Sequence, residues 1–309
     1  SQHNLNLNMT FKRGIPPLYN KDFYMTAKTQ FKFSSYESAK WLLLAIPLLY
    51  VVLTMGYPLV DIILKSFRGK DGFTFDFYLK AFTDPLYISV LLSTVKIALI
   101  VTLVCLVLAY PMAYLSVSAK SRKVRTLITA GVLIPYWVSM LVRIFAWQII
   151  LQNNGIVNQA LLFIGFVKEP AKLLYTDLAV TISLVHILIP FMFLSLQNSM
   201  KQIDTNLLLA SNIMGGTKFY GFIHVFLPLS KAGMLSGSIM VFVLSLGFYI
   251  APALLGGPDN MMLSNLIEIS MNNFNWGLAS ALSVELLVLV YLIIAVAFKF
   301  TGNIFIKDI

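Results

Sequence analysis

The chain has 309 residues, of which 58% are hydrophobic and 12% are charged, and its formal net charge is +10. A soluble domain carries about 25% charged residues, so this composition excludes a soluble enzyme. The basic residues lie mostly between apolar runs, which favours a membrane topology over nucleic-acid binding. A lone cysteine, Cys105, and three scattered histidines exclude a disulfide framework and a metal site.

Six apolar runs are long enough to cross a bilayer, which requires roughly 20 helical residues. The runs are apolar on all sides and do not alternate, so they predict helices rather than transmembrane strands. We therefore predict an all-α membrane protein with six transmembrane helices. The predicted spans are residues 41–63, 88–115, 128–151, 178–196, 232–255 and 278–300. Prolines in these spans predict bends around a pathway: Pro47, Pro58, Pro111, Pro135, Pro190 and Pro252.

The first 39 residues are polar and contain no apolar core, so no cleavable signal peptide is expected and the first span would serve for insertion. We predict a tail of residues 1–39 and a transmembrane domain of residues 40–309. The tail either lies on the membrane surface through residues such as Lys28 and Phe31 or is disordered.

Basic residues are concentrated on one side of the predicted spans, and cytoplasmic loops retain positive charge. This distribution predicts a multi-pass membrane protein with both termini in the cytoplasm. The cytoplasmic side carries Lys12, Arg13, Lys21, Lys28, Lys32, Lys40, Lys120, Arg122, Lys123, Arg125, Lys201, Lys218, Lys231, Lys299 and Lys307. The outer side carries Arg68, Lys70, Lys80, Lys168 and Lys172.

Four ionisable side chains fall inside the predicted spans: Lys96, Arg143, His186 and Glu285. Counting from the outer end of each span places all four in one layer, roughly 10–12 Å below the outer surface. Charges inside a membrane usually face the bundle interior and pair. The layer either lines the outer half of a substrate pathway or forms structural pairs, such as Glu285 with Arg143 or Lys96.

Aromatic residues near this layer are candidates for a cation-binding wall. Tyr136, Trp147 and Tyr249 are assigned to the pathway, because Trp147 stands one turn from Arg143 and Tyr249 stands near the bend at Pro252. Alternatively, these aromatic side chains anchor the protein at the membrane interface or simply pack in the bundle, and Trp137 and Phe248 are open to the same alternatives.

The segment between the fourth and fifth spans, about residues 200–229, is longer than a connection requires. Asp204 or Thr205 suits a helix N-cap, and Gly215 with Gly216 suits the end of that helix. A second amphipathic stretch over residues 219–226 ends at Pro228. The apolar surface of the first helix predicts a protein partner on the cytoplasmic side.

This segment resembles the coupling loop of permease subunits in binding-protein-dependent ABC importers. That loop has Glu-Ala-Ala, three residues, Gly, and then an aromatic-rich stretch ending in Leu-Pro. Ala210 and Ser211 match the alanines and Gly215 matches the glycine, whereas Leu209 stands in place of the glutamate. Residues 135–158, 251–258 and 275–283 are similar to spermidine/putrescine-type permeases, and the resemblance covers most of residues 88–301.

The resemblance implies the permease fold of type I ABC importers and the import of a polyamine or a related amine, opine or amino-acid-like compound. It implies a heterodimer with a second permease subunit, two cytoplasmic ATPases and a periplasmic substrate-binding protein. The ATPases would bind ATP and Mg²⁺, because this chain lacks a Gly-x-x-x-x-Gly-Lys-Ser/Thr motif and needs no cofactor. The residues expected to couple to the ATPases are Asp204, Leu208, Leu209, Ala210, Ser211, Gly215, Gly216 and Lys218.

Two other functions remain open from the residues alone. A stand-alone channel or secondary carrier would explain the spans and the buried charges, but not the apolar loop helix that ends at Gly215. An integral membrane enzyme would require clustered catalytic residues, and the sequence offers none.

Overall fold

The computed structural model describes residues 33–69 and 72–305, and the predictions for the rest of the tail and for the last four residues lie outside this part. The chain divides into two compact units with a boundary between Pro58 and Leu59. The helices, numbered in chain order, are α1 Phe33–Val51, α2 Tyr57–Ser66, α3 Asp76–Thr83, α4 Pro85–Ser118, α5 Arg122–Leu133, α6 Met140–Leu151, α7 Ile156–Phe163, α8 Asp177–Met200, α9 Thr205–Ile213, α10 Lys218–Gly221, α11 Leu227–Leu229, α12 Lys231–Leu246, α13 Ile250–Leu255, α14 Leu263–Asn272 and α15 Trp276–Phe305.

Short irregular elements join some of these helices. The turns Val52–Gly56 and Phe222–Phe226 are π-helical, and Ile134–Trp137 and Pro258–Asn260 are 3₁₀ turns. A two-stranded antiparallel ribbon pairs Arg68–Gly69 with Gly72–Phe73.

The six-span prediction is confirmed with two broken spans. In the part of the chain that the structure describes, four helices are long and apolar enough to cross a membrane: Leu43–Ser66, Pro85–Ser118, Asp177–Met200 and Trp276–Ala297. Two further candidates are pairs of helices that bend at a short break, by 97° between Arg122–Trp137 and Met140–Phe163, and by 55° between Lys218–Leu229 and Lys231–Leu246. Counting each bent pair as one span gives six.

The predicted third span, 128–151, is not one continuous helix. The chain leaves α5 through the 3₁₀ turn Ile134–Trp137, and Val138 and Ser139 are extended before α6 begins. Pro135 lies in that turn and has no amide hydrogen to continue the α-helical bonding. The prediction of a bend at this proline is therefore confirmed, but the span is interrupted rather than kinked.

The predicted fifth span, 232–255, is also divided. Helix α12 ends before Gly247, and α13 starts at Ile250. Pro252 cannot donate to the carbonyl of Phe248, and that carbonyl instead accepts a hydrogen bond from Ser264 Oγ at 2.7 Å. The residues between the predicted fifth and sixth spans contain a further helix, α14, which packs against α15.

The core lies between α4, α8 and α12. Phe193, Leu188 and Val101 are buried in its main cluster together with Cys105. Hydroxyl pairs also join helices of this bundle outside the core, because small polar residues let helices approach closely in a membrane. One example is Ser195 Oγ on α8, which lies 2.7 Å from Ser236 Oγ on α12. This bundle fixes the relative positions of the predicted pathway residues on α4 and α8.

Candidate functional site

A groove of about 610 Å³ runs along α4, α6 and α8. It brings together three of the predicted pathway residues, Lys96, Trp147 and His186, and adds Asp177, which the sequence analysis did not single out. The remaining walls are almost entirely aliphatic: Ile100, Val104, Leu108, Leu178, Thr181, Ile182, Val185 and Ile189.

The indole of Trp147 and the imidazole of His186 form one polar pair in the lining of the groove. Trp147 Nε1 donates a hydrogen bond to His186 Nδ1 at 3.0 Å, and the two rings meet edge to face at 5.9 Å. Because Nδ1 accepts this bond, the imidazole carries its proton on Nε2. The remaining N–H is the polar group that His186 can offer to a molecule in the groove.

Lys96 and Asp177 form the other polar pair of the groove. Lys96 Nζ lies 3.1 Å from Asp177 Oδ2, and both side chains are partly exposed. Asp177 Oδ1 accepts a second hydrogen bond, at 2.6 Å, from Asn260 Nδ2 in the turn after α13. Asp177 therefore joins α4, the start of α8 and the turn Pro258–Asn260.

The predicted single layer of charges is wrong. Lys96 pairs with the first residue of α8, whereas His186 lies roughly 13 Å farther along that helix at about 1.5 Å per residue. Counting from span ends missed this offset, because Lys96 stands eleven residues after the start of α4 yet contacts the first residue of α8, so the two helices do not begin at the same level.

The proposed pairing of Glu285 with Arg143 or Lys96 is also wrong for the residues that the structure describes. Lys96 pairs with Asp177, while Arg143 Nε, Arg143 Nη1 and Glu285 Oε2 are buried without a hydrogen-bond partner. The Arg143 side chain is only 8% exposed. Neither Arg143 nor Glu285 is among the groove-lining residues.

The other two predicted pathway aromatics lie outside the groove. Tyr136 is in the break between α5 and α6, where its ring meets Phe191 edge to face at 5.5 Å. Tyr249 precedes α13, and its carbonyl accepts a hydrogen bond from Asn265 Nδ2 at 3.0 Å. Trp137 is 86% exposed and makes only an edge contact with Tyr136.

The coupling loop has the predicted local structure. Asp204 caps α9 by accepting a hydrogen bond from the Asn206 amide at 2.9 Å. The chain then turns at Gly215, whose φ of +87° lies in the left-handed region that favours glycine. Thr217 caps the next helix, which begins at Lys218, by accepting from the Tyr220 amide at 3.1 Å.

The two halves of the coupling loop enclose a second groove of about 720 Å³. Leu208 packs against the main core and anchors α9 to the bundle. Leu209 is 57% exposed and Met214 is 88% exposed, so the outer face of the loop is apolar. His224 stacks on Tyr220 at 4.0 Å and lies on the exposed side of the loop. The groove is lined by Leu207, Ala210, Ser211, Met214, Gly215, Gly216, Thr217, Tyr220, His224 and Val225.

Comparison with known proteins identifies the family. Residues 106–307 match the family described as "Binding-protein-dependent transport system inner membrane component". The chain is 34% identical over 258 residues to the spermidine/putrescine transport system permease protein PotB of Escherichia coli K12, covering 81% of this chain and 93% of the relative. PotB of Haemophilus influenzae is 32% identical over 249 residues, covering 78% of this chain and 87% of that protein.

Solved structures agree on the fold. A chain of a bacterial alginate ABC transporter in complex with a periplasmic protein matches with a TM-score of 0.73 and 16% identity, covering 90% of this chain and 98% of that chain. A chain of the MetNI methionine ABC transporter matches with a TM-score of 0.53 and 18% identity, covering 72% of this chain and 99% of that chain.

These matches confirm the predicted resemblance and the type I importer permease fold. They also explain the multi-pass apolar architecture as that of an inner-membrane transport component. The chain belongs to the family of binding-protein-dependent transport system inner membrane components, and it is a permease subunit of an ABC importer.

Proposed function

We propose that this permease subunit imports a polyamine of the spermidine or putrescine type. The observation that carries the proposal is the 34% identity to a spermidine/putrescine permease over 93% of that relative's length. The alginate and methionine transporters are less than 20% identical to this chain, so they inform the fold and not the substrate.

The proposed assembly contains this chain, a second permease subunit, two cytoplasmic ATPases and a periplasmic binding protein. ATP would be hydrolysed by the ATPases, since the sequence has no phosphate-binding loop of its own. Both termini and the coupling loop would face the cytoplasm, which agrees with the bias of the positive charges.

The ATPases would dock on the coupling loop. The exposed Leu209 and Met214 offer an apolar surface, and the groove beside them can accept an apolar side chain of the partner. Leu209 would replace the polar contact of the family's glutamate with an apolar one. Because Leu208 packs on the core, a push on α9 would be transmitted to the bundle.

The substrate pathway would pass the groove that holds Trp147 and His186. An indole face attracts ammonium groups, and the aliphatic walls suit the methylene chain of a polyamine. Arg143 and Lys96 would oppose a cation, so the pathway requires carboxylates to compensate. Asp177 is already engaged by Lys96 and Asn260.

Reconstitution of the complete importer in proteoliposomes tests this function. We expect uptake of radiolabelled spermidine that requires ATP, the binding protein and this chain, and that alginate oligosaccharides and methionine do not inhibit. Omission of the ATPases is the control. Spermidine transport by this chain alone without ATP would instead identify a stand-alone carrier, and absence of uptake by the complete importer would reject a polyamine substrate.

A further inference from the structure

A separate cavity of about 390 Å³ lies between α13, the turn that follows it, and α14. It is at the end of α12 remote from the coupling loop, and it shares no lining residue with the Trp147–His186 groove. Its walls include Ala253, Met261 and Ile269, and Glu268 is the one charged side chain among the described lining residues.

The walls of this cavity are held in place by hydrogen bonds. The Gly256 amide donates to the Pro252 carbonyl at 2.9 Å, and a Cβ at Gly256 would lie 2.5 Å from the same oxygen, so only glycine fits. Asn265 binds the Tyr249 carbonyl through Nδ2 and the Met262 amide through Oδ1. The cavity is therefore built into the fold rather than left between mobile segments.

Glu268 has no neutralising neighbour among the residues that the structure describes. The ion pairs there are Lys65–Asp61 and Lys96–Asp177, and Glu268 makes no hydrogen bond. Its oxygens are not among the buried, unpartnered side-chain atoms, a group that includes Oε2 of Glu285. The Glu268 side chain is half-buried and lines the cavity, so its carboxylate oxygens can accept hydrogen bonds from a molecule there.

One carboxylate surrounded by apolar walls selects a particular kind of cation. A metal ion such as Ca²⁺ requires six to eight oxygen ligands, which a single carboxylate cannot supply. A primary ammonium group is satisfied by fewer acceptors, and its attached methylene groups gain by contact with apolar side chains. The chemistry of this cavity therefore matches the end of a linear alkylamine.

We propose that the Glu268 cavity is a binding site for the terminal ammonium group of a linear polyamine. Glu268 accepts the ammonium hydrogens, while Met261 and Ile269 contact the adjoining methylenes. The proposal rests on the proposed polyamine function and adds a site on α14 outside the groove of α4, α6 and α8. Glu268 supplies a carboxylate outside the ion pair that engages Asp177 with Lys96.

A cysteine reporter beside Glu268 tests the site without relying on transport. Ala253→Cys lines the cavity and is exposed, whereas the native Cys105 is fully buried. The permease–ATPase complex in nanodiscs is treated with a cationic and an anionic methanethiosulfonate of similar size. We expect the cationic reagent to react roughly tenfold faster, after correction for their rates with a free thiol, because a carboxylate concentrates cations locally. Spermidine should slow that reaction.

The matched variants combine Ala253→Cys with Glu268→Gln, Glu268→Asp or Glu169→Gln. Glu268→Gln should abolish both the preference for the cationic reagent and the protection by spermidine, whereas the other two should retain them. Glu169 is an exposed carboxylate away from the cavity. Met261→Cys provides a second reporter if the first complex does not assemble.

A Glu268→Gln variant that keeps the full preference for the cationic reagent, or that spermidine still protects, would overturn the proposal. Failure of this site is distinguishable from failure of the proposed function. A wild-type importer that takes up spermidine while the reporter shows no protection rejects only the Glu268 site. A reporter protected equally by non-amine solutes also rejects it.

Discussion

Trp147 Nε1 and His186 Nδ1 are joined by a 3.0 Å hydrogen bond between α6 and α8. This bond links α6 of the broken third span directly to the fourth span, and a second bond, from Gln197 Nε2 to Thr129 Oγ1 at 3.1 Å, links α8 to α5. The Trp147–His186 bond orients the imidazole so that Nε2–H remains for a second partner. A bond that links two spans and also orients a groove-lining ring should affect both stability and transport.

Trp147→Phe should lower the thermal unfolding midpoint and slow spermidine uptake, because it removes the donor and keeps an aromatic ring. The lost hydrogen bond is worth about 1 kcal/mol. The control is Trp137→Phe, since Trp137 is 86% exposed. A double-mutant cycle with His186→Leu measures the pair directly, and strictly additive effects would contradict a direct interaction.

Asp177→Asn should loosen the turn Pro258–Asn260 more than it lowers global stability. The Lys96–Asp177 pair is partly exposed, and such pairs contribute about 0–1 kcal/mol. Asp177 also accepts the Asn260 hydrogen bond, so a weaker acceptor should raise amide hydrogen exchange in residues 257–262. The matched control is Asp61→Asn, which breaks the Lys65–Asp61 pair instead. Unaltered exchange in the turn would argue against its attachment through Asp177.

Arg143→Met should raise the thermal stability of the purified subunit. Arg143 is 8% exposed, and two of its nitrogens lack partners, so methionine removes a desolvated charge without breaking a hydrogen bond. The free energy of unfolding should rise by at least about 1 kcal/mol, because replacing a buried ion with an apolar side chain removes its desolvation penalty. Arg125→Met, at an exposed position of α5, is the control. If instead the variant melts earlier, Arg143 has an acceptor within the subunit.

Gly215→Ala should impair ATP-driven uptake while leaving the bundle folded. Its φ of +87° costs a residue with a Cβ about 1–2 kcal/mol, although there is open space around the Cβ position. The strain falls on the turn that closes α9, so the ratio of spermidine transported to ATP hydrolysed should fall. Gly131→Ala lies within α5 with similar open space and should leave this ratio unchanged. If the ratio of spermidine transported to ATP hydrolysed is the same in the two variants, the turn at Gly215 does not couple ATP hydrolysis to transport.

The coupling loop was predictable because its signals are local. Asp204 as an N-cap and Gly215 as a left-handed turn depend on neighbouring residues, and both are found as predicted. The existence of the spans was equally predictable, because it depends on the length of each apolar run. The broken third span was harder, because Pro135 signals a bend but its context decides whether the helix resumes at once or after an extended segment.

Contacts between side chains far apart in the sequence could not be predicted from the spacing of residues along the chain. Asp177 stood at the edge of a predicted span, and only the packing of α4 on α8 brings it to Lys96. Glu268 lies between two predicted spans, and only the structure shows that Leu263–Asn272 forms a helix that carries it to the wall of a cavity. Counting depths from span ends assumed that the spans begin at one level, whereas Lys96, eleven residues after the start of α4, lies beside the first residue of α8.

The bond from Ser264 to the carbonyl opposite Pro252 has a mechanical consequence. The backbone at this bend is supported by a side chain 16 residues away in sequence rather than by the next helical turn. The stiffness of the joint between α12 and α13 is thus set by a serine on α14, and a change at that serine can alter how readily the fifth span flexes while the proline itself stays in place.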